Sequence, residues 1–592
     1  MKPVVDILEE RISAAMAAAT AREDCAAIVR PATDARFGDY QANGVMALAR
    51  QLKTNPRKLA EQVVENLDLT DICEPPEIAG PGFINLRLKP EFIAECLLGI
   101  NKDSAGLGIE KTAKSKNIVV DFSAPNIAKQ MHVGHLRSTI IGDCICRTLE
   151  FLGHNVIRQN HIGDWGTQFG MLCALYDRKL RDTSAKGLAM QDEAPLADQE
   201  AFYREAKSLY DSDEEFRKEA RAAVVGLHRG DSIWTRYWEI IRKSSIDHCQ
   251  ELYDMLGVTL KPQDVHGESE YNKDLPYVVA ELKDQGLAVE SDGAVCVFPE
   301  GFKNKEGEPL PFIIQKSDGA YLYATTDLAA IRYRVNELKA QRIVYVTDSR
   351  QKLHFEMLFA VARMAGWISD DIELSHVMFG SVLGDNGQPL KTRSGENVKL
   401  KDLLDEAIER AMQVVEQKNP ELPDEKKEQI ARAVGIGAVK YADYSNNRTS
   451  DYIFSFDKML AMDGNTAPYM QYAYARIKSI ERKAQSRDVD IETELADVTE
   501  LNLAEPAELD LAKYLIRYGE AIQAAAGDYR PNYLTAYLYE LAQKFSAFYT
   551  NCPVLKAGPE QRPTRLLLCD LTARTIRHGL SELLGIEVVE QM

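Results

Sequence analysis

The sequence predicts an α/β protein: a parallel-sheet domain with a helical insertion, a small α+β domain before it and an all-α domain after it. Three observations lead there. A strand–helix–strand succession fills residues 118–158, strand signals recur at 293–298, 311–314 and 342–346, and beyond about residue 400 the pattern is helical almost throughout. Two strands joined through a helix are a crossover unit, and a crossover makes the strands parallel.

The elements follow in order. In residues 1–110, Val5, Leu8 and Ile12 share one helical face with Asp6, Glu9 and Glu10 off it, and a strand over 83–88 follows the turn Gly80-Pro81-Gly82. The polar stretch 101–116, with Gly106 and Gly108, reads as a linker. The second domain, 111–400, opens on the apolar strand Ile118-Val119-Val120-Asp121-Phe122. A loop containing Pro125 leads into a helix from about His132 to Leu152, which Gly153 stops, and the strand Asn155-Val156-Ile157-Arg158 follows. From about 170 to 259 the pattern is helical and highly charged, which marks an insertion reaching to about 290. Residues 401–592 form the helical third domain.

Composition bounds the function. With 592 residues, 90 Asp+Glu against 71 Lys+Arg and a net charge of −19, a protein that coats phosphates or membrane surfaces is excluded. A local basic face is not. The ten cysteines are scattered without any C-x-x-C pair, so they are read as reduced core residues, and no protein-bound zinc or other metal is expected. Asp6, Glu9 and Glu10 argue against a targeting leader, and no apolar run nears the roughly 18 residues of a membrane span. A cytoplasmic, monomeric protein with no membrane association is expected.

The strongest local signal is His132-Val133-Gly134-His135 at the opening of the first crossover helix. Imidazoles at i and i+3 share a helical face beside the free N–H groups and positive dipole end. Gly134 leaves room for an adenine or ribose to approach the backbone, so the arrangement suits ATP. No G-x-x-x-x-G-K-[ST] occurs, and Gly435-Ile436-Gly437 lacks the third glycine of a dinucleotide fingerprint.

The wider stretch Ser123-Ala124-Pro125-Asn126-Ile127-Ala128-Lys129-Gln130-Met131-His132-Val133-Gly134-His135 resembles the ATP-binding signature of class I aminoacyl-tRNA synthetases, in the wording of arginyl-tRNA synthetases. Similarity recurs at Asn160-His161-Ile162-Gly163-Asp164-Trp165-Gly166, at Tyr321-Leu322-Tyr323-Ala324-Thr325-Thr326-Asp327, at Asp348-Ser349-Arg350-Gln351-Lys352-Leu353-His354-Phe355 and at Thr466-Ala467-Pro468-Tyr469-Met470-Gln471-Tyr472. These matches, in order from residue 37 to about 552, span nearly the whole chain. The resemblance implies a Rossmann-like catalytic domain, an N-terminal domain at the tRNA elbow and an anticodon-binding C-terminal domain. It also implies ligation of L-arginine to tRNA(Arg) through an arginyl-adenylate, with Mg²⁺ accompanying the ATP.

The same resemblance assigns residues. His132, Gly134 and His135 would hold ATP. The family's second signature falls on Leu390-Lys391-Thr392-Arg393-Ser394, where Leu390 and Arg393 replace its lysines; Lys129, Thr392 and Arg393 would then face the phosphates. Tyr323 and Asp327, with Glu268 as a third group and Glu270 as its rival, would meet the guanidinium. Asp121, Asn126 and Gln351 would surround the α-ammonium and α-carboxylate. For the tRNA, Tyr40, Gln41 and Asn43 are expected at the elbow, and Tyr469, Tyr472 and Arg476 near the anticodon, where splayed bases want stacking faces and cations. Arg565, Arg574 and Arg577 read as a solvated face. Two rival readings remain at this point: a small-molecule adenylyltransferase, and a synthetase-like tRNA-binding regulatory protein without ligase activity.

Overall fold

The computed structural model describes residues 1–185, 198–391, 397–486, 490–496 and 498–592. It divides into two compact units: residues 112–461 with 583–587, and residues 1–111 with 462–582 and 588–592.

The first of these units is built on a four-stranded sheet. In chain order its elements include β1 (Asn117–Asp121), α1 (Val133–Phe151), β2 (Asn155–Gln159), α2 (Tyr323–Asn336), β3 (Arg342–Asp348), α3 (Lys352–Met364) and β4 (Glu373–Phe379). The strands lie in the order β4-β3-β1-β2, all parallel, with Val119 beside both Ile157 and Ile343. Ile118, Val119 and Val120 are fully buried, as a central strand covered on both faces requires. The chain leaves β1 toward β2 on one side, while β3 and β4 lie on the other. The carboxyl ends of β1 and β3 therefore flank a crevice, where ligands bind in open α/β sheets.

The edge strand β4 is not apparent in the sequence, because its apolar run is broken by Ser375 and His376. The strands Ala294–Val297 and Phe312–Gln315 do not join this sheet; with Ala288–Ser291 they make a separate antiparallel one. The insertion is helical as expected, with Thr167–Ala185, Gln199–Ser212, Glu214–Arg229 and Ser232–Leu256.

The helices Leu400–Lys418 and Asp424–Tyr444 pack within this unit, so the division expected at residue 400 falls instead near 461. The reason is buried: Arg137 on α1 pairs with Asp443 at 2.9 Å, and both side chains are almost wholly enclosed. Arg137 also donates to the carbonyls of Gly380 and Ser450, and the Tyr444 hydroxyl donates to Ile140 O. A charge enclosed this way is tolerable only with a partner.

In the other unit, an antiparallel sheet runs in the order Val29–Pro31, Tyr40–Ala42, Phe83–Leu86, Glu77–Ala79. It shares a core with C-terminal helices that include Ala467–Gln485, Pro506–Leu515, Tyr518–Asp528, Pro531–Asn551 and Arg562–Arg577. The N-terminal block and these helices thus cohere as one body. Asp39 pairs with Lys513 at 2.8 Å, and Arg574 donates to Asn101. All ten cysteines are free thiols and buried. Among the described residues no helix is long and apolar enough to cross a membrane.

Candidate active site

At the carboxyl end of β1 the chain turns through Ser123 and Ala124, both at positive φ (67° and 42°). That costs strain in residues other than glycine, and the surroundings fix it. Ser123 N–H donates to Ser138 Oγ, its hydroxyl bonds Thr139 and Tyr253, and Ala124 N–H donates to Asn160 Oδ1. The turn delivers the loop to His132, the N-cap of α1. Residues 398–400 pin that loop: Val133 N–H donates to Val398 O, and Leu400 N–H to Met131 O.

Both signature histidine rings accept backbone N–H groups of the helix opening. His132 N–H donates to His135 Nδ1 at 3.1 Å, Gly134 N–H donates to His132 Nδ1 at 3.0 Å, and the ring centroids are 4.1 Å apart. Each Nδ1 accepts, so each neutral ring carries its proton on Nε2, an assignment drawn from these bonds. Burial, and then Lys129, lowers His132 from the usual imidazole value. Burial, and then His132, pushes His135 down to about 3. Both rings are therefore neutral Nε2–H donors near pH 7. The space above Gly134, expected to admit a nucleotide, is taken by the His132 ring itself.

A cluster of acids lies by the start of α2. Asp327, in its second turn, receives His354 Nε2 at 2.6 Å on Oδ2 and has His161 Nε2 at 3.8 Å from Oδ1. Burial, then Asp327, then Asp164 pushes Glu268 up to about 7. Its rival Glu270 is already engaged, by Arg242 at 3.0 Å and His266 at 3.1 Å. Asp164, fully buried, takes Arg242 and both the N–H and hydroxyl of Ser269, which fixes the turn that carries Glu268. Tyr323, 64 % exposed, stands at the head of α2 with its ring 5.0 Å from His354. Glu268 and Asp327 have no Lys or Arg ion-pair partner among the described residues. Glu268 feels the charge of Asp327, and two neighbouring acids without a Lys or Arg partner suit a cation.

Other expected residues have different surroundings. Asp121 ends β1 but commits Oδ2 to the buried Arg334 at 2.6 Å, whose Nε donates to Gln159. Asn126 and Gln351 are exposed at the crevice ends of β1 and β3. Lys129 is exposed, its Nζ 4.8 Å from the Tyr203 ring centroid. Thr392 and Arg393 lie outside the described residues.

In the other unit Tyr40 departs from expectation. It offers no stacking face: it is 0 % exposed and its hydroxyl donates to Glu520 at 2.6 Å. Gln41 donates to Asn85 at 2.8 Å, while Asn43 Oδ1 is buried with no partner among the described residues. Tyr472 is 43 % exposed, whereas Tyr469 packs on Tyr539 and Arg476 lies over the Tyr549 ring. Arg565 is not solvated either; it is buried against Glu508 at 2.6 Å, and Arg574 pairs with Asp570.

His354 and His161 were not singled out from sequence, although both lie in the quoted motifs. Their spacing to Asp327 exists only in three dimensions; the one available signal was His354 three residues after Gln351, on the same helical opening.

Comparison with known proteins gives three family matches. Residues 6–88 match the arginyl tRNA synthetase N terminal domain, 100–456 the catalytic domain of "tRNA synthetases class I (R)", and 470–592 the DALR anticodon binding domain. Curated relatives named arginine–tRNA ligase include one from Hahella chejuensis, 51% identical over 586 residues, and one from Escherichia coli K12, 51% identical over 588 residues. In each case 99% of both chains is covered. Among solved structures, the arginyl-tRNA synthetase of Plasmodium falciparum aligns with TM-score 0.83 at 32% identity, and that of Thermus thermophilus with TM-score 0.80 at 25% identity. Both alignments cover 100% of each chain.

Proposed function

The chain belongs to the arginyl-tRNA synthetase family, and from that membership we propose how its residues divide the reaction. It is an arginine–tRNA ligase: ATP, L-arginine and tRNA(Arg) give L-arginyl-tRNA(Arg), AMP and diphosphate. An arginine carboxylate oxygen attacks the α-phosphorus and diphosphate leaves; the tRNA's terminal hydroxyl then attacks the acyl carbon and AMP leaves. No protein nucleophile is needed, so the protein aligns the reactants and stabilises charge.

The observation that carries the residue-level reading is the pair Glu268 and Asp327, two neighbouring carboxyl groups with no Lys or Arg partner among the described residues. A guanidinium presents a planar fork of N–H donors that suits such a pair. Tyr323 covers the same end. Asn126 and Gln351 serve the α-ammonium and α-carboxylate, with the free oxygen of Asp121 beside them. His132 and His135 donate Nε2–H to the nucleotide, Gly134 seats the His132 ring, and Lys129, Thr392 and Arg393 face the diphosphate. Among the described residues no three His, Cys, Asp or Glu side chains form a metal cage, so Mg²⁺ fits here as a partner of phosphate oxygens and water, supplying charge neutralisation. Tyr472 supplies an exposed stacking face of the anticodon-binding domain, with Tyr469 and Arg476 on the same helix; Gln41 and Asn43 serve the tRNA elbow.

A monomer is proposed as the working unit. Its buried reduced thiols suit the cytoplasm. Neither rival reading is favoured: an adenylyltransferase has no use for an anticodon-binding domain, and both signature histidines are intact. The test is arginine-dependent ATP–diphosphate exchange with and without tRNA(Arg). Exchange confined to arginine and dependent on tRNA is expected; exchange with another amino acid, or none at all, overturns the reading.

A further inference from the structure

Asp327 does not stand free. The 2.6 Å contact with His354 Nε2 joins the first turn of α3 to the second turn of α2. His354 is itself immobilised: Phe312 stacks on it at 5.7 Å, Tyr323 lies 5.0 Å away, Phe355 meets it edge-on at 5.3 Å, and its side chain is 14% exposed. A donor held this firmly, bonded to one carboxylate oxygen, fixes rotation about the Cβ–Cγ bond of Asp327. A carboxylate has about four lone-pair sites, so one N–H on Oδ2 still leaves an acceptor on each oxygen. Those two acceptors lie in a defined plane.

Arginine and lysine use such a plane differently. A guanidinium donates two parallel N–H groups and gains both bonds only when the carboxylate is coplanar with it. An ammonium is a point charge with rotating donors, and it binds a tumbling carboxylate about as well as a fixed one. Fixing Asp327 therefore favours the forked cation.

We propose that His354 is a positioning residue for side-chain selection: its Nε2–H locks the plane of the Asp327 carboxylate, and the locked plane favours arginine over lysine. This rests on the reading of Asp327 as a guanidinium partner. His161, 3.8 Å from the other oxygen, is too far to share that role.

The experiment measures the arginine KM and kcat in tRNA-dependent ATP–diphosphate exchange, and the inhibition constant of lysine, for wild type, His354→Ala, His354→Gln and Asp327→Asn. Thermal melting checks the fold of each. Losing a charge-assisted bond should raise the arginine KM about tenfold in His354→Ala, with kcat within about twofold and lysine inhibition unchanged. Glutamine offers an amide N–H near the Nε2 position, so His354→Gln should recover most of the loss. An unchanged arginine KM in His354→Ala, a fall in kcat alone, or His354→Gln as impaired as His354→Ala overturns the proposal. Asp327→Asn separates the two layers. If it leaves the arginine KM unchanged, the reading of Asp327 fails and the proposal with it; if it raises KM while His354→Ala does not, only the role of His354 fails.

Discussion

His132 lies across the first turn of its own helix, over Gly134: a Cβ on Gly134 would stand 2.7 Å from His132 Cε1 and 2.9 Å from its Nδ1. Residue 134 is therefore glycine because a ring of the same signature covers it. Gly134→Ala should push His132 aside and lower the rate of adenylate formation about 10²-fold or more, the scale of an ångström-sized misplacement. Stopped-flow or exchange kinetics read this directly. A rate within twofold of wild type would mean that His132 is not positioned for the chemistry.

His135→Ala should lower adenylate formation by about 10²–10³-fold, the scale of one lost transition-state donor. Arginine binding, measured by calorimetry, should be largely intact. Because burial pushes His135 down to about 3, its donor is present throughout the working range. The wild-type rate should show no acid limb from His135 above pH 5.

Glu268 gives the pH dependence a sign. Its folded value of about 7 lies above that of an ordinary carboxylate, so without substrate it holds a proton in mildly acidic solution. Its contribution to stability is fully present below the ordinary value and is lost as pH rises through about 7. Arginine requires the ionised form. The arginine dissociation constant should then fall as pH rises toward 7, by up to about tenfold per unit, and level off above it. Glu268→Gln should bind arginine more weakly with a flat profile between pH 5.5 and 8. A profile unchanged from wild type removes Glu268 from arginine recognition.

Asp443 neutralises Arg137 inside the sheet unit. Asp443→Ala leaves that guanidinium enclosed without its partner and should cost about 3–5 kcal/mol in the urea unfolding of that unit. A loss below about 1 kcal/mol would show that the pair does not bind helix 424–444 to α1.

Tyr40→Phe removes a bond from a buried hydroxyl to Glu520. It should lower stability by about 1–3 kcal/mol and leave the KM for tRNA unchanged. A raised KM with unchanged melting would restore Tyr40 as an RNA contact.

These residues also show where the sequence is readable. The run Ile118-Val119-Val120, the helix opening at His132 and the second strand at Asn155 are local signals, and each lies within two residues of its expected place. Strand β4 was hidden because polar Ser375 and His376 interrupt an edge strand. The boundary near 461 was hidden because Arg137 and Asp443 lie about 300 residues apart along the chain. At the site, Tyr323, Asp327 and Glu268 come from motifs, but the choice of Glu268 over Glu270 depends on Arg242, which claims Glu270 from another helix. Tyr40 was misread for the same reason: the residue that buries its hydroxyl is Glu520, in a distant part of the sequence.

The ten enclosed thiols carry a practical corollary. Cys144, Cys146, Cys173, Cys249 and Cys296 lie in the sheet unit, and Cys25, Cys73, Cys96, Cys552 and Cys569 in the other. Alkylating reagents attack the exposed thiolate, so labelling at any of these sites waits for a local opening. The protein thus carries an intrinsic clock in each half. Mass-resolved maleimide uptake, with and without arginine or tRNA, would report which half each ligand tightens, without any engineered probe.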